Sequence, residues 1–167
     1  MVRIITGAIS SCLACGICGY NGIEGLLSNN LPTQIWFRWL KPTEGWHKLN
    51  TDGSVVSTNG LSGCGGLLRD SAEQWVVGFA KSINVSSSIA AKLWALWDGL
   101  GLCLERGISA VEIELDATTA ISLVSSNVNA NGDLSGVVDD CKELLLRLPQ
   151  VKCYCIASGK QILVPML

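Results

Sequence analysis

Asp52 is the first residue whose surroundings ask for chemistry. It lies in Lys48-Leu-Asn-Thr-Asp-Gly-Ser54, which alternates so that Asn50, Asp52 and Ser54 share one face of an extended segment, and Leu49, Thr51 and Val55 the other. A carboxylate inside a strand that otherwise reads as core is costly to bury unless a metal, a cation or a cleft compensates it. A second carboxylate, Asp116, closes the apolar run Val111 to Leu115. Read locally, Asp52 is a turn aspartate in Thr-Asp-Gly-Ser, and Asp116 caps a helix beginning at Ala117.

Other reactive side chains point to less. Cys12, Cys15 and Cys18 have the C-x2-C-x2-C spacing of part of an iron–sulfur run, but position 22 is Gly22 and no proline follows. With His47 the single histidine among 167 residues no convincing zinc set stands out, and the cysteine triplet reads as part of a weakly packed leader. Cys64, Cys103 and Cys141 stand where a small buried residue would serve, and Cys153 and Cys155 share one face of a late apolar run. Lys48, Arg69 and Lys81 are within the chemistry of phosphate contact, but isolated basic residues usually do nothing so specific. Trp94 and Trp97 lie in a helical apolar stripe and read as packing residues.

Composition bounds the choices. With 49% hydrophobic residues the chain is long enough for one domain with a core, and a net charge of −2 argues against a strongly basic nucleic-acid binder. Charged residues reach only 16% and mean hydropathy is +0.38, so part of the surface is expected to meet a partner. Met1 to Ala14 resembles a secretory signal only loosely, being interrupted and without a small-x-small cleavage site. No window is long and apolar enough for a membrane helix. The expectation is a reducing intracellular compartment, with no choice between nucleus and cytoplasm.

These side chains need elements to place them. Residues 1–34 have no clear period and read as a poorly ordered leader, 35–156 as the domain, and 157–167 as a divergent tail without helical pattern. A strand over about 46–56, a second from Gly63 to Arg69 and a third from Gln74 to Ile83, joined by short turns, make an antiparallel meander. The period then switches: Ile89, Leu93, Leu96, Leu100 and Leu104 predict a helix, with serines 86–88 as caps and Gly107 as its stop. A strand from Val111 to Leu115, a short helix from Ala117 to Ser126, a helix from Leu134 to Leu148 and a strand from Val151 to Ile156 follow. The predicted fold is α/β, a mixed five-stranded sheet of meander plus parallel strands with packed helices.

That order, with Asp52 in the first strand and Asp116 ending the fourth, resembles the ribonuclease H fold. Trp39-x-x-Pro42, Gly45-Trp46-x-Lys-Leu-Asn-Thr-Asp-Gly-Ser54, Gly63-Cys-Gly-Gly-x-x-Arg-Asp70, Leu93-Trp-Ala-Leu-x-Asp-Gly-Leu100 and Glu114-x-Asp-Ala117 are similar to plant ribonuclease H-like domains of retroelement (non-LTR reverse transcriptase) origin. The resemblance covers about residues 36–156. It implies a hydrolase in which four carboxylates hold two Mg²⁺ ions and cleave the RNA strand of an RNA–DNA hybrid. By position, Asp52 matches the first carboxylate and Asp116 the third, and these two are the remnant metal ligands.

The second should be a glutamate on the first helix, but that context reads Ala91-Lys92-Leu93-Trp94. Lys92 inverts the charge there. An ammonium between Asp52 and Asp116 would neutralise them in the metal's stead, while a solvated lysine on the helix flank is the plain alternative. Asp98 lies on another side of the helix, and Glu114 shares strand parity with Asp116 without being a family ligand. After the last strand the family has a histidine, about where Cys155 stands, and a final helix carrying the fourth carboxylate. Ser158 to Leu167 matches none of that helix, so it is expected to be absent and the copy to be degenerate. The expectation is a pseudoenzyme that binds nucleic acid with weak or no Mg²⁺. The alternatives are a live enzyme with altered metal use, a protein-interaction module using an exposed apolar surface, or a retroelement relic.

Overall fold

The computed structural model describes residues 3–5, 40–56, 61–126, 132–157 and 160–165. Ten elements follow one another: β1 (Arg3–Ile5), β2 (His47–Val55), β3 (Ser62–Arg69), β4 (Trp75–Ile83), α1 (Ser88–Glu105), β5 (Ala110–Leu115), α2 (Thr118–Ser125), α3 (Ser135–Arg147), β6 (Gln150–Ala157) and β7 (Lys160–Val164). One sheet has the order β1-β4-β3-β2-β5-β6-β7. β4, β3 and β2 form the predicted antiparallel meander, while β2, β5 and β6 run parallel, as strands joined through helices must.

Alternation decides which face is dry. Leu49 and Thr51 of β2, Leu68 of β3, Phe79 of β4 and Ile113 of β5 are buried on the face that receives α1. α1 comes close enough for a Cβ on Gly99 to fall 2.9 Å from Leu49 and Thr51 side-chain carbons. α3 packs on α1, and α2 on α3 and β6. Ser87 caps α1, its side chain accepting from the Ala90 amide, and Gly107 beyond the helix takes φ +66°, as the sequence predicts for a stop.

The sheet is wider than the five predicted strands. Arg3–Ile5 pairs antiparallel with β4, so this piece of the leader joins one edge, and the rest of the leader lies outside the described residues with Cys12, Cys15 and Cys18. At the other edge the tail, predicted only to lack helical pattern, forms β7 on β6. Its run Gln161-Ile-Leu-Val164 carries the β-branched and apolar residues that suit a strand. Among the described residues, β6 is thus followed by a strand and not by a helix.

The second face of the sheet is not the apolar surface expected where a helix is missing. By strand parity it carries Lys48, Asn50 and Asp52 of β2, Glu112 and Glu114 of β5, and Lys152 and Tyr154 of β6. Exposed large hydrophobics are few: Val56 and Leu61 meet across the β2–β3 hairpin, and Ile162 and Leu163 follow each other on β7 but face opposite sides of the sheet. No described helix is long and apolar enough to cross a membrane.

Candidate functional site

Three elements converge at the C-terminal ends of the parallel strands. β2 supplies Asp52, the residue after β5 supplies Asp116, and the second turn of α1 supplies Lys92. Gly53 makes this approach possible: a Cβ there would lie 2.2 Å from the Ala91 carbonyl oxygen, so any side chain would push α1 off the strand. Lys92 lies one residue beyond that contact and reaches both carboxylates. Its Nζ donates to Asp52 Oδ1 and, at 2.6 Å, to Asp116 Oδ1. Asp52 Oδ1 also accepts the Gly53 amide at 2.8 Å.

The partners differ in burial. Lys92 and Asp52 side chains retain 15% and 17% exposure, whereas Asp116 retains 58%. Burial is the largest influence on Asp52 and raises its pKa, against the lowering effect of Lys92. For Lys92 burial alone would lower the pKa, but hydrogen bonds and charge from Asp116 and Asp52 outweigh it and raise the pKa above its ordinary 10.5.

Asp116 is not the helix cap that its local sequence suggests. The cap position of α2 is Ala117, which makes no side-chain cap bond, so the Asp116 carboxylate is turned to Lys92 instead. Asp98 faces away, as its helical position requires. It pairs with Lys81 of β4 at 2.5 Å, and that ammonium lies 5.4 Å from the Trp94 ring and 5.7 Å from the Trp97 ring. The two rings meet edge to face at 5.4 Å, so both tryptophans help tie α1 to β4. Lys81 is therefore engaged in packing.

Two polar clusters on the second face escaped the sequence reading. Glu114 accepts from Asn50 Nδ2 at 2.5 Å, and Asn50 Oδ1 accepts from Arg69 at 3.1 Å, so Glu114 is held in a side network. Below it, Lys48 is fully buried, donating to the Leu40 carbonyl at 2.8 Å with Glu112 at 3.5 Å. Glu112 also accepts from the Thr43 amide and hydroxyl at 3.2 and 2.5 Å, and Lys152 stacks over Trp46 at 3.9 Å. These contacts fasten residues 40–46 across β2, β5 and β6. The shared parity of positions 48, 50 and 52 with 112, 114 and 116 was the available signal. The isolated basic residues Lys48 and Arg69, not expected to act specifically on phosphate, are buried in these networks.

The described thiols are structural. Cys64, Cys103, Cys141, Cys153 and Cys155 are buried, and burial pushes Cys103, Cys141 and Cys153 up to about 12.

A family model described as "Reverse transcriptase-like" matches residues 50–158, a span holding Asp52, Lys92 and Asp116. The chain belongs to this family. An Arabidopsis thaliana protein named "Putative ribonuclease H protein" is 33% identical over 118 residues, covering 68% of this chain and 19% of that protein's length. The N-terminal ribonuclease H domain of a Mycobacterium tuberculosis protein superposes with a TM-score of 0.62 at 14% identity, covering 68% of this chain and 88% of that one. Ribonuclease H1 from Halobacterium salinarum gives 0.62 at 17% identity, over 68% of this chain and 87% of its own. A compost-derived ribonuclease H1 in complex with an RNA/DNA hybrid gives 0.60 at 16% identity, over 67% and 86%. The fold is that of ribonuclease H, and the chain is a ribonuclease H-like domain.

Ribonuclease H-like domains imply divalent metal ions, and the residues here do not fit them. Lys92 Nζ lies against the two carboxylate oxygens that would face the ions, and no three of His, Cys, Asp and Glu gather as a metal site among the described residues. A divalent ion would meet a fixed positive charge, with only two acids to hold it.

Proposed function

We propose that this chain is a ribonuclease H-like nucleic-acid-binding domain in which a lysine has replaced the metal cluster, so that it engages duplexes of the hybrid type without cutting them. One observation carries the reading: Lys92 Nζ bridges Asp52 and Asp116. An ammonium can hold two carboxylates together by charge, as a metal does, but it neither polarises a phosphoryl oxygen as a Lewis acid nor lowers the pKa of a bound water. The scaffold keeps its shape while the chemistry is lost.

Support for nucleic acid as the ligand comes from the family and from the hybrid-bound state of one structural neighbour. Asp52, Asp116 and Lys92 together keep one negative charge, so phosphate would be met by residues around the cluster and not by the cluster itself. The test is fluorescence anisotropy of a labelled RNA–DNA hybrid with the full chain in EDTA over a series of salt concentrations. Binding that survives EDTA and weakens steadily with salt supports the reading. Binding that appears only with added Mg²⁺ or Mn²⁺ refutes it.

A further inference from the structure

We infer that Asp116 withholds Lys92 from nucleic acid: it is an electrostatic gate that keeps the cluster from holding a backbone phosphate and so limits affinity for a duplex. The inference rests on the nucleic-acid-binding reading above and names the residue that sets how this site meets its ligand.

The two acids are not equivalent partners of the ammonium. Asp52 and Lys92, at 17% and 15% exposure, would by themselves make a neutral and largely buried pair. Asp116 brings a second negative charge to the same Nζ at 2.6 Å, with 58% of its side chain open to solvent. It is the charge in excess and the one that an approaching ligand meets first. Among the described residues no element calls for an acid there. Asp116 follows Leu115, the last paired residue of β5, and the cap position of α2 belongs to Ala117. An uncharged side chain would leave both elements as they are, since a pair this open on one side adds little to stability.

Charge arithmetic gives the consequence. With Asp116 ionised the cluster sums to minus one and repels a phosphate. Without it the sum is zero, and one of the three N–H groups of Lys92 is released toward the space that the Asp116 carboxylate fills. A lysine N–H is the kind of donor that backbone phosphates recruit. Asp52 still holds Lys92 from the buried side, so the released donor stays in place.

The experiment is anisotropy of a labelled RNA–DNA hybrid in EDTA, over salt from about 50 to about 200 mM. It compares the full chain with Asp116→Ala, Lys92→Met, the double variant, and Glu105→Gln, which removes an exposed acid at the far end of α1. Circular dichroism checks the fold of each. Asp116→Ala is expected to bind about threefold to tenfold tighter at low salt, and to lose about threefold of that advantage at high salt, as one added phosphate contact requires. In the Lys92→Met background the same change should gain clearly less, and Glu105→Gln should leave the salt slope unchanged. If the Lys92→Met proteins do not fold, the slopes of Asp116→Ala and Glu105→Gln separate a new contact from a loss of overall charge. A wild type that does not bind the hybrid sinks the proposed function and this inference with it. A wild type that binds overturns the inference alone if Asp116→Ala is no tighter, if its gain is as large without Lys92, or if its slope matches that of Glu105→Gln.

Discussion

Lys92 is held from two sides, and exchanging it tests both its charge and its place. Lys92→Met leaves Asp52 and Asp116 facing each other across a gap that is half-open to solvent on the Asp116 side, and is expected to cost about 1–3 kcal/mol in urea unfolding, less than a fully buried pair would. The pH dependence follows from the raised Lys92 pKa. A lysine raised in the folded state contributes stability that is complete below its ordinary 10.5 and disappears as pH climbs through the folded value. The excess stability of wild type over Lys92→Met should therefore be full at neutral pH and shrink above 10.5, and an excess that instead grew there would contradict the bridge. Lys92→Glu restores a third acid and should raise Mg²⁺ affinity about tenfold or more by isothermal titration, since hard cations bind by carboxylate count. Unchanged affinity would remove the main support for a displaced metal. The position stood out in the context Ala91-Lys92-Leu93-Trp94, but that context left a bridge and a solvated lysine equally open, and the contacts of its Nζ with Asp52 and Asp116 decide for the bridge. Asp116 was legible as an acid but not in its local role, since capping propensity is a short-range rule and a facing ammonium overrides it.

Elements set the cluster by close approach and by a latch. Gly53→Ala would place a Cβ against backbone, at 2.2 Å from the Ala91 carbonyl, where no rotamer can relieve it. The expected cost is roughly 2–4 kcal/mol in chemical denaturation. A cost below one would mean that α1 can slide away and that the reach of Lys92 is not fixed by packing. The latch over the second face turns on Lys48 and Glu112, whose side chains are 1% and 4% exposed. Glu112→Gln should destabilise by about 3–5 kcal/mol, because it leaves the Lys48 charge buried without its partner. The double change Lys48→Met/Glu112→Leu should cost clearly less, and a double variant as damaged as the sum of its singles would exclude coupling between them. The meander, α1 and the parallel pair were readable because their periods are long and their stops explicit, as at Gly107. β7 was not, because three apolar residues after Lys160 and Gln161 are too short a run to declare any period, and the sheet edge that receives the strand is a tertiary feature.

At the scale of the whole molecule, the proposed reading separates the fold from the chemistry. The sheet order and the parallel β2-β5-β6 core are those of a ribonuclease H-like domain, and in that reading they survive with a lysine where the family's chemistry would need a ligand. The second face shows how far sequence reasoning went. High mean hydropathy suggested an uncovered apolar surface, but the second face, as far as the described residues show it, is built of paired charges whose parity only the register reveals. What the assembled molecule does to nucleic acid then turns on whether metal can still work between Asp52 and Asp116. The most direct measurement is cleavage of an RNA–DNA hybrid with Mg²⁺ or Mn²⁺ by the folded chain and by its Asp52→Asn variant. The lysine-bridged site predicts no cleavage by either protein, while cleavage by wild type that is abolished in Asp52→Asn would contradict it.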